Sequence, residues 1–333
     1  MTTPINVLFG LPDDRKAPII VNDEGRSIAY DLLGTVGLLP YLSQTRFRLA
    51  VHYLEPGGVE PAELGPGPLL NHVAEPDSCA ATLDLVRRIV AKTGRSCFNH
   101  PNAIGRTTRD EVSRVLAGIE GLRVPKTIRV RERNAGELRS AIERARLGFP
   151  VLVRVAGFHL GMSLVKVDTP DQIEAICGGL ERDERSSLYV TEFCDFASAD
   201  GLYRKYRIAV VGGQIFLRHL YIGASWLIHR ARTVPGTEPE ERAFLDSFDA
   251  ECVPRLTPMF QEVGRRLGLD FFGVDCNIDP SGCVLLFEAN SCMKILGYTG
   301  PKPNIWEDPI ARITAAVEER LSRPETWCCE QEV

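Results

Sequence analysis

Over its first third the chain sets short apolar runs between polar punctuation, and INVLFGL, FRLAVHYL and PLLNHV each have the length expected of a strand. CAATLDLVRRIVAKTG breaks that rhythm. Its apolar residues recur every three or four positions and Gly94 stops it, which predicts a helix. EPGGVEPAELGPGP, residues 55–68, is too rich in Pro and Gly for either element and reads as a loop. Strands interleaved with a helix make an α/β unit. Thr108 and Glu111 stand at capping-box spacing, so a helix is expected from there to about Gly121.

From VPKTIRV, a strand, the pieces shorten. Asn134 is placed to cap a helix ending near Gly148, FPVLVRV and SLVKV read as strands around the loop GFHLGM, and Thr169-Pro170 opens another helix. LYVTEF, residues 188–193, closes what reads as a small α+β lobe. Two further strands turn at Gly212-Gly213, and the stretch from Glu238 to Asp270 is helical except near Pro254 and Pro258. FFGVDCNI and VLLFEAN then form a hairpin through Asp279-Pro280-Ser281-Gly282, and PIARITAAVEERLS is a last amphipathic helix. The tail WCCEQEV matches no element and is expected to be a mobile end. The division this predicts is an N-terminal unit over 1–122, a small lobe over 123–193 and a C-terminal lobe over 194–333.

Composition narrows the class. A chain of 333 residues, 44% hydrophobic and 25% charged, supports two or three packed units and excludes a disordered or fibrous protein. No apolar run is long enough for a bilayer, and the N-terminus lacks the basic start and cleavage pattern of a secretion signal, so a cytoplasmic protein without a membrane partner is expected. Ten cysteines, scattered and without CxxC, read as reduced thiols. A net charge of -5 gives no overall attraction to nucleic acid, although Arg and Lys cluster locally.

The hairpin raises the chemical question. Asp275 sits near the end of one apolar arm and Glu288-Ala289-Asn290 closes the other. Neighbouring antiparallel strands bring alternate residues to a common face, so Asp275, Glu288 and Asn290 can converge. Three oxygen donors suit a hard divalent cation, and magnesium takes a few protein oxygens and completes its shell from water and phosphates. A solvated surface hairpin is the plain alternative, and the apolar FFGV and VLLF runs argue against it because buried acids need partners.

With its flanks, LGLDFFGVDCNIDPSGCVLLFEANSCM resembles the metal-binding hairpin of ATP-grasp ligases, in which an Asp on one strand and a Glu-x-Asn on the next hold magnesium against ATP. FNHPNAIGRTTRDEVSRVL looks like the family's segment ahead of the ATP-binding lobe, VPKT follows it, and YVTEFCDF looks like the hinge strand along the adenine. The resemblance covers about residues 95–312, and the N-terminal unit is similar, more loosely, to the substrate domain of glutathione synthetase-like members. It implies α/β and α+β architecture: an ATP-grasp fold behind an N-terminal α/β pre-ATP-grasp domain, with nucleotide between two α+β lobes.

The resemblance also implies roles. Asp275, Glu288 and Asn290 would hold two magnesium ions, or manganese in their place. Arg154 in VLVRV stands where the family has a lysine on the α and β phosphates; its other reading is an arginine snorkelling from an edge strand. The Gly-rich phosphate loop is reduced to Gly157 and Gly161, with His159 at its tip facing phosphate, substrate or solvent; a branch of the family with Arg followed by Gly-Phe-His looks more similar here. Lys126 would lie near the nucleotide or cap the sheet, and Glu192 and Phe193 belong to the hinge. Arg207 and Arg218 would contact substrate carboxylate or the transferring phosphoryl group. Alternation places Lys205 beside Arg207 and turns Arg204 to solvent. His219, Trp226 and His229 are candidates for the acceptor pocket, and Met293, Lys294 and Tyr298 for a substrate loop. No general base is identified. Loops 156–162 and 195–204 would close over the nucleotide. The implied activity is that of an ATP-dependent carboxylate-amine or carboxylate-thiol ligase working through an acylphosphate on a small molecule or peptide. An ATP-grasp kinase of a polyol or other hydroxyl substrate, and a nucleotide-binding protein without turnover, are the alternatives; a homodimer is common among such relatives.

Overall fold

A computed structural model describes residues 2–17, 19–22, 27–30, 34–58, 63–131, 134–158, 163–179, 187–228, 233–297 and 302–328. The N-terminal sheet is parallel. Its strand β1 (Thr3–Gly10) runs between β4 (Phe47–Leu54) and β5 (Leu69–Asn71), with β6 (Cys97–Phe98) beyond β5, while β2 (Ile19–Asn22) and β3 (Ser27–Tyr30) pair separately as a hairpin. Helix α1 (Ala80–Thr93) is the crossover from β5 to β6 and ends at Gly94, whose N–H reaches Val90 O at 2.9 Å and whose positive φ then turns the chain out of the helix. Two short helices follow, α2 (Pro101–Gly105) and α3 (Arg109–Val115), and then β7 (Leu122–Arg123).

The next unit is an antiparallel sheet in the order β10 (Val165–Val167), β9 (Val151–Val155), β11 (Leu188–Glu192), β8 (Thr127–Val130). Helices α4 (Ala135–Arg144) and α5 (Ile173–Gly179) pack with it around Leu138, Ile142, Val153, Ile173 and Val190, a core separate from the rest of the molecule.

The third sheet runs β13 (Gln214–Gly223), β12 (Tyr203–Val211), β14 (Phe271–Ile278), β15 (Val284–Asn290), with β7 added in parallel at the edge. Alternation along these strands assigns the two faces. Ile208, Val210, Phe272 and Val274 pack with Leu256, Phe260 and Val263 of α7 (Val253–Leu267), beside α6 (Glu238–Glu251). Ala209, Val211 and Phe271 point the other way, onto Ile313 and Val317 of α8 (Glu307–Leu321). Phe272 and Val274 are fully buried, and such side chains contribute about 1.5–3 kcal/mol each. Both cores also take in residues of the N-terminal unit, such as Leu8 and Leu69 on one side and Ile5 and Val7 on the other. The N-terminal unit and the C-terminal lobe are therefore packed as one body, against which the small lobe stands with its own core.

Several sequence expectations are corrected. The helix from Arg109 ends at Val115 and not near Gly121, because Gly118 and Gly121 both take positive φ and turn the chain into β7. Thr108 makes no capping bond; its hydroxyl engages Asp110 instead. Asn134 does cap α4, accepting from Glu137 N at 2.8 Å, but the helix stops at Arg144, with Arg146 in the left-handed region. Helix α7 runs through Pro258, since Pro254 lies in its first turn and Pro258 forfeits only one bond near the start. The tail is anchored at least to Cys328: Trp327 is buried edge-on against Phe98, its Nε1 donates to Arg320 O at 2.7 Å, and Cys328 N donates to Asp270 Oδ1 at 2.9 Å. Nine cysteines among the described residues are free thiols. Among them, too, no helix is long and apolar enough to cross a membrane.

Candidate active site

The hairpin β14–β15 brings the two acids together through a bulge. Asp275 pairs with Glu288 and Gly273 with Asn290, but Cys276 pairs with Leu286, leaving Phe287 as an extra residue. Without that residue Glu288 would keep phase with Val284 and Leu286, which face the α7 core. The bulge moves Glu288 and Asn290 onto the opposite face, where Asp275 already points. A second register shift, between Arg207 and Ile208 on β12, lies beside it. Asn290 Nδ2 then donates to Glu288 Oε1 at 2.8 Å, so the amide oxygen and both carboxylates occupy one patch.

Cations surround this patch. Arg207, paired with Asp275 across β12–β14, forms a two-pronged bond with its carboxylate, Nε to Oδ1 at 2.7 Å and Nη2 to Oδ2 at 2.8 Å. Lys205 Nζ lies 3.4 Å from Oδ2, on the same face, as alternation requires. Burial alone would push the Asp275 carboxyl up, but Arg207 and Lys205 outweigh it and hold the group below the usual carboxylate range. Arg207 is in turn held above its ordinary value by Asp275, against the effect of burial. Arg109, from the first turn of α3, donates to Glu288 Oε1 at 2.7 Å and to Phe287 O at 3.2 Å. Arg154 on β9 is 7% exposed, donates to Phe158 O, and leaves its buried Nε without a partner. Burial, then Arg109, pushes the Arg154 guanidinium down to about 9, which leaves it charged at neutral pH.

These groups line a cavity of about 770 Å³, within the range of roughly 300–1,000 Å³ usual for ligand sites. The cavity has three zones. Toward the small lobe its walls carry the apolar side chains of Val124, Leu152, Phe193, Phe196 and Phe287, with Thr127, Thr191 and Glu192 among them. The charged band of Arg154, Arg109, Lys205, Arg207, Asp275 and Glu288 crosses its middle. Beyond the band lie Phe9, Val36, Leu39, Tyr41 and His72 of the N-terminal unit, opposite Met293, Ile295 and Leu296.

The sequence candidates divide accordingly. Asp275, Glu288, Asn290, Arg207, Arg154, Glu192 and Phe193 all reach the cavity. Glu192 accepts from Arg123 Nη2 at 3.2 Å, and Phe193 meets Trp226 edge to face, under Lys166. Trp226, Met293 and Lys294 also line the cavity. Lys126 does not: its Nζ donates to Ala145 O at 2.6 Å. Arg218, the residue at the β13 register shift, is buried under the loop after the hairpin, donating to Ile295 O at 2.5 Å and Gly297 O at 3.3 Å, so it braces the wall instead of facing the cavity. Gly157, at φ 79°, lies against Asp77 and Ser78, outside the lining. His159, Gly161, His229 and Tyr298 fall outside the described residues. His219 is buried and stacks on Tyr221, which lines the cavity. Arg204 is not simply solvated; it pairs with Asp200 and Glu240. Arg109 is the residue that sequence reasoning passed over, hidden in what looked like a capping sequence.

The donor set fits magnesium of one kind. Among the described residues no three His, Cys, Asp or Glu side chains form a cage, and magnesium commonly needs only one or two carboxylates when phosphates complete its shell. Asp275, Glu288 and the Asn290 amide meet that need. The unpartnered Nε of Arg154 is a buried donor on the same band.

No family model matches the sequence, and no curated protein matches it. Solved structures do. A RimK domain ATP-grasp protein from Sphaerobacter thermophilus is similar over 96% of this chain and 99% of its own, with a TM-score of 0.51 and 16% identity. The D-alanine-D-alanine ligase from Coxiella burnetii aligns over 97% of both chains at a TM-score of 0.56 and 10% identity. That from Bacillus anthracis, complexed with ATP, aligns over 97% of this chain and 98% of its own at 0.52 and 13%. The chain has the ATP-grasp fold.

Proposed function

We propose that the protein is an ATP-dependent ligase that joins a small carboxylic acid to an amine or thiol, releasing ADP and phosphate. One observation carries this reading: Asp275, Glu288 and Asn290 line one cavity together with Arg207, Lys205, Arg109 and Arg154. ATP in a structure of the same fold supports the choice of nucleotide. Magnesium, when bound at the hairpin oxygens, would neutralise phosphate charge. Arg154 and Arg109 would take phosphate oxygens, and the apolar walls at Phe193 and Phe287 would sandwich the base. Arg207 stands at the seam between the charged band and the N-terminal end. There its guanidinium would hold the substrate carboxylate and stabilise charge as it moves onto the acyl oxygen.

The chemistry balances in two steps. A carboxylate oxygen attacks the γ-phosphorus, the bond to the bridging oxygen breaks, and ADP leaves with an acylphosphate behind. The nucleophile attacks the acyl carbon, the carbon–oxygen bond to phosphate breaks, and the nucleophile's proton passes to solvent or phosphate. Enclosure between the lobes would keep water from the acylphosphate.

Hydroxylamine tests this reading. With magnesium, ATP and an accepted acid, the protein should release ADP and yield a hydroxamate. ADP release without hydroxamate would point instead to phosphorylation of a hydroxyl group. Replacement of Arg207 by Met should lower kcat by about 100-fold or more with smaller change in KM for ATP.

A further inference from the structure

From the far end of the cavity, and building on the ligase reading, we infer that the acid accepted there is a monocarboxylate with an apolar or aromatic body, and not an amino acid, a dicarboxylate or a sugar phosphate. The walls say so. Leu39 and Tyr41 lie on a short turn of the N-terminal unit, and Tyr41 approaches Gly297 in the loop after the hairpin. Val36 is tied to the strand end by its N–H to His72 O at 3.1 Å, and His72 stacks on Phe9 with centroids 4.6 Å apart. Met293 and Ile295 form the opposite wall.

Charge is confined elsewhere. Among the described lining residues, Lys294 is the one charged side chain on this wall, and its backbone carbonyl accepts from Arg207 Nη1 at 3.1 Å, which puts its main chain at the seam with the charged band. Glu75, the nearest buried acid of the N-terminal unit, does not line the cavity; its oxygens accept from Asp77 N at 3.0 Å and from Cys292 Sγ at 3.6 Å. His72 is 2% exposed, both ring nitrogens lack partners, and burial pushes its pKa down to about 3, so it presents a neutral aromatic surface.

An ammonium placed here would lose its water and meet no carboxylate among the described residues of this wall. A second carboxylate would meet only Lys294 at the seam and the neutral polar groups of Thr35, Tyr41 and His72, so either charge is desolvated without full compensation. An apolar body loses nothing polar and gains burial. Its one carboxylate is oriented by Arg207 at the seam, toward the nucleotide. The arrangement thus sorts substrates by what lies behind the carboxylate.

The test uses the full chain with magnesium and a non-hydrolysable ATP analogue, titrated calorimetrically with phenylacetate, isovalerate, alanine, glutamate and succinate. The apolar acids should bind at least about tenfold tighter than the polar ones. With ATP and hydroxylamine they should also be the better substrates. Leu39→Asp, on the partly exposed turn, should weaken phenylacetate binding about tenfold or more while leaving analogue affinity within about twofold. Tighter binding of alanine, glutamate or succinate overturns the inference, as does binding of none of the five, or an unaffected Leu39→Asp. The two readings fail separately. Hydroxamate formed from a polar acid alone sinks the apolar subsite and keeps the ligase; phenylacetate bound but never consumed with ATP sinks the ligase and keeps the subsite.

Discussion

Asp275 and Arg207 show how a buried acid is kept charged by a partner. Their side chains are 6% and 17% exposed, and each satisfies the other. Removing one partner of such a pair typically costs about 3–5 kcal/mol because the other charge is stranded. Asp275→Asn should therefore lower the urea midpoint as well as metal–nucleotide affinity, and Glu288→Gln, whose carboxylate is more exposed, should lose affinity with a smaller stability cost; equal stability losses would contradict this ranking. His72 gives a pH prediction. Its folded pKa is pushed from 6.5 to about 3, so its contribution is whole above 6.5 and is lost as pH falls toward 3, while the unfolded chain takes up the proton. The slope is about 1.4 kcal/mol per pH unit, or about 2 kcal/mol between pH 6.5 and 5. His72→Phe should remove that part of the acid sensitivity in urea titrations; an unchanged pH dependence would refute the assignment. At this scale the sequence was partly legible: strand alternation alone places Lys205 with Arg207. Arg109 was not, since its partner Glu288 lies 179 residues away and no local pattern joins them.

At the scale of elements the hairpin and its neighbours matter most. Gly273 is required by close approach: a Cβ there would meet Met293 Sδ at 2.6 Å and Ile295 Cδ1 at 2.9 Å. Gly273→Ala should cost about 1–3 kcal/mol by overpacking, and should weaken acid binding more than nucleotide binding, because the displaced residues are the wall of the acyl end. Calorimetry with phenylacetate and with the ATP analogue would separate the two effects. The hairpin and its turn at Asp279–Gly282 could be read from the sequence, as could α1, α4 and α8, because period and punctuation agree there. The bulge at Phe287 could not. Strict alternation sets Glu288 in phase with Leu286 on the core face, and only pairing with β14 reveals the extra residue. Helix α7 was misjudged at Pro258 for a related reason: a proline near a helix start costs little once α7 is packed on the sheet.

For the whole molecule, the decisive feature is how three units become two bodies. The N-terminal unit shares cores with the C-terminal lobe, whereas the small lobe is fastened to the N-terminal unit by a polar cluster. Arg129 on β8 pairs with Asp77 at 2.8 Å and Asp110 at 3.0 Å, and Tyr189 OH donates to Asp77 at 2.7 Å. Arg129→Ala should raise hydrogen exchange across residues 127–191 while leaving β12–β15 protected; uniform loss of protection would contradict the two-body description. Pattern alone predicts a division into three stretches of chain, but shared burial is a tertiary property that composition does not encode.

The central claim is that the hairpin oxygens receive a divalent ion together with a nucleotide triphosphate. Electron paramagnetic resonance of manganese with the purified chain addresses it directly. The account predicts strong manganese binding in the presence of a non-hydrolysable ATP analogue, weak binding without it, and loss of the bound signal in Glu288→Gln. Manganese held equally well by Glu288→Gln, or no manganese retained with the analogue present, would contradict it.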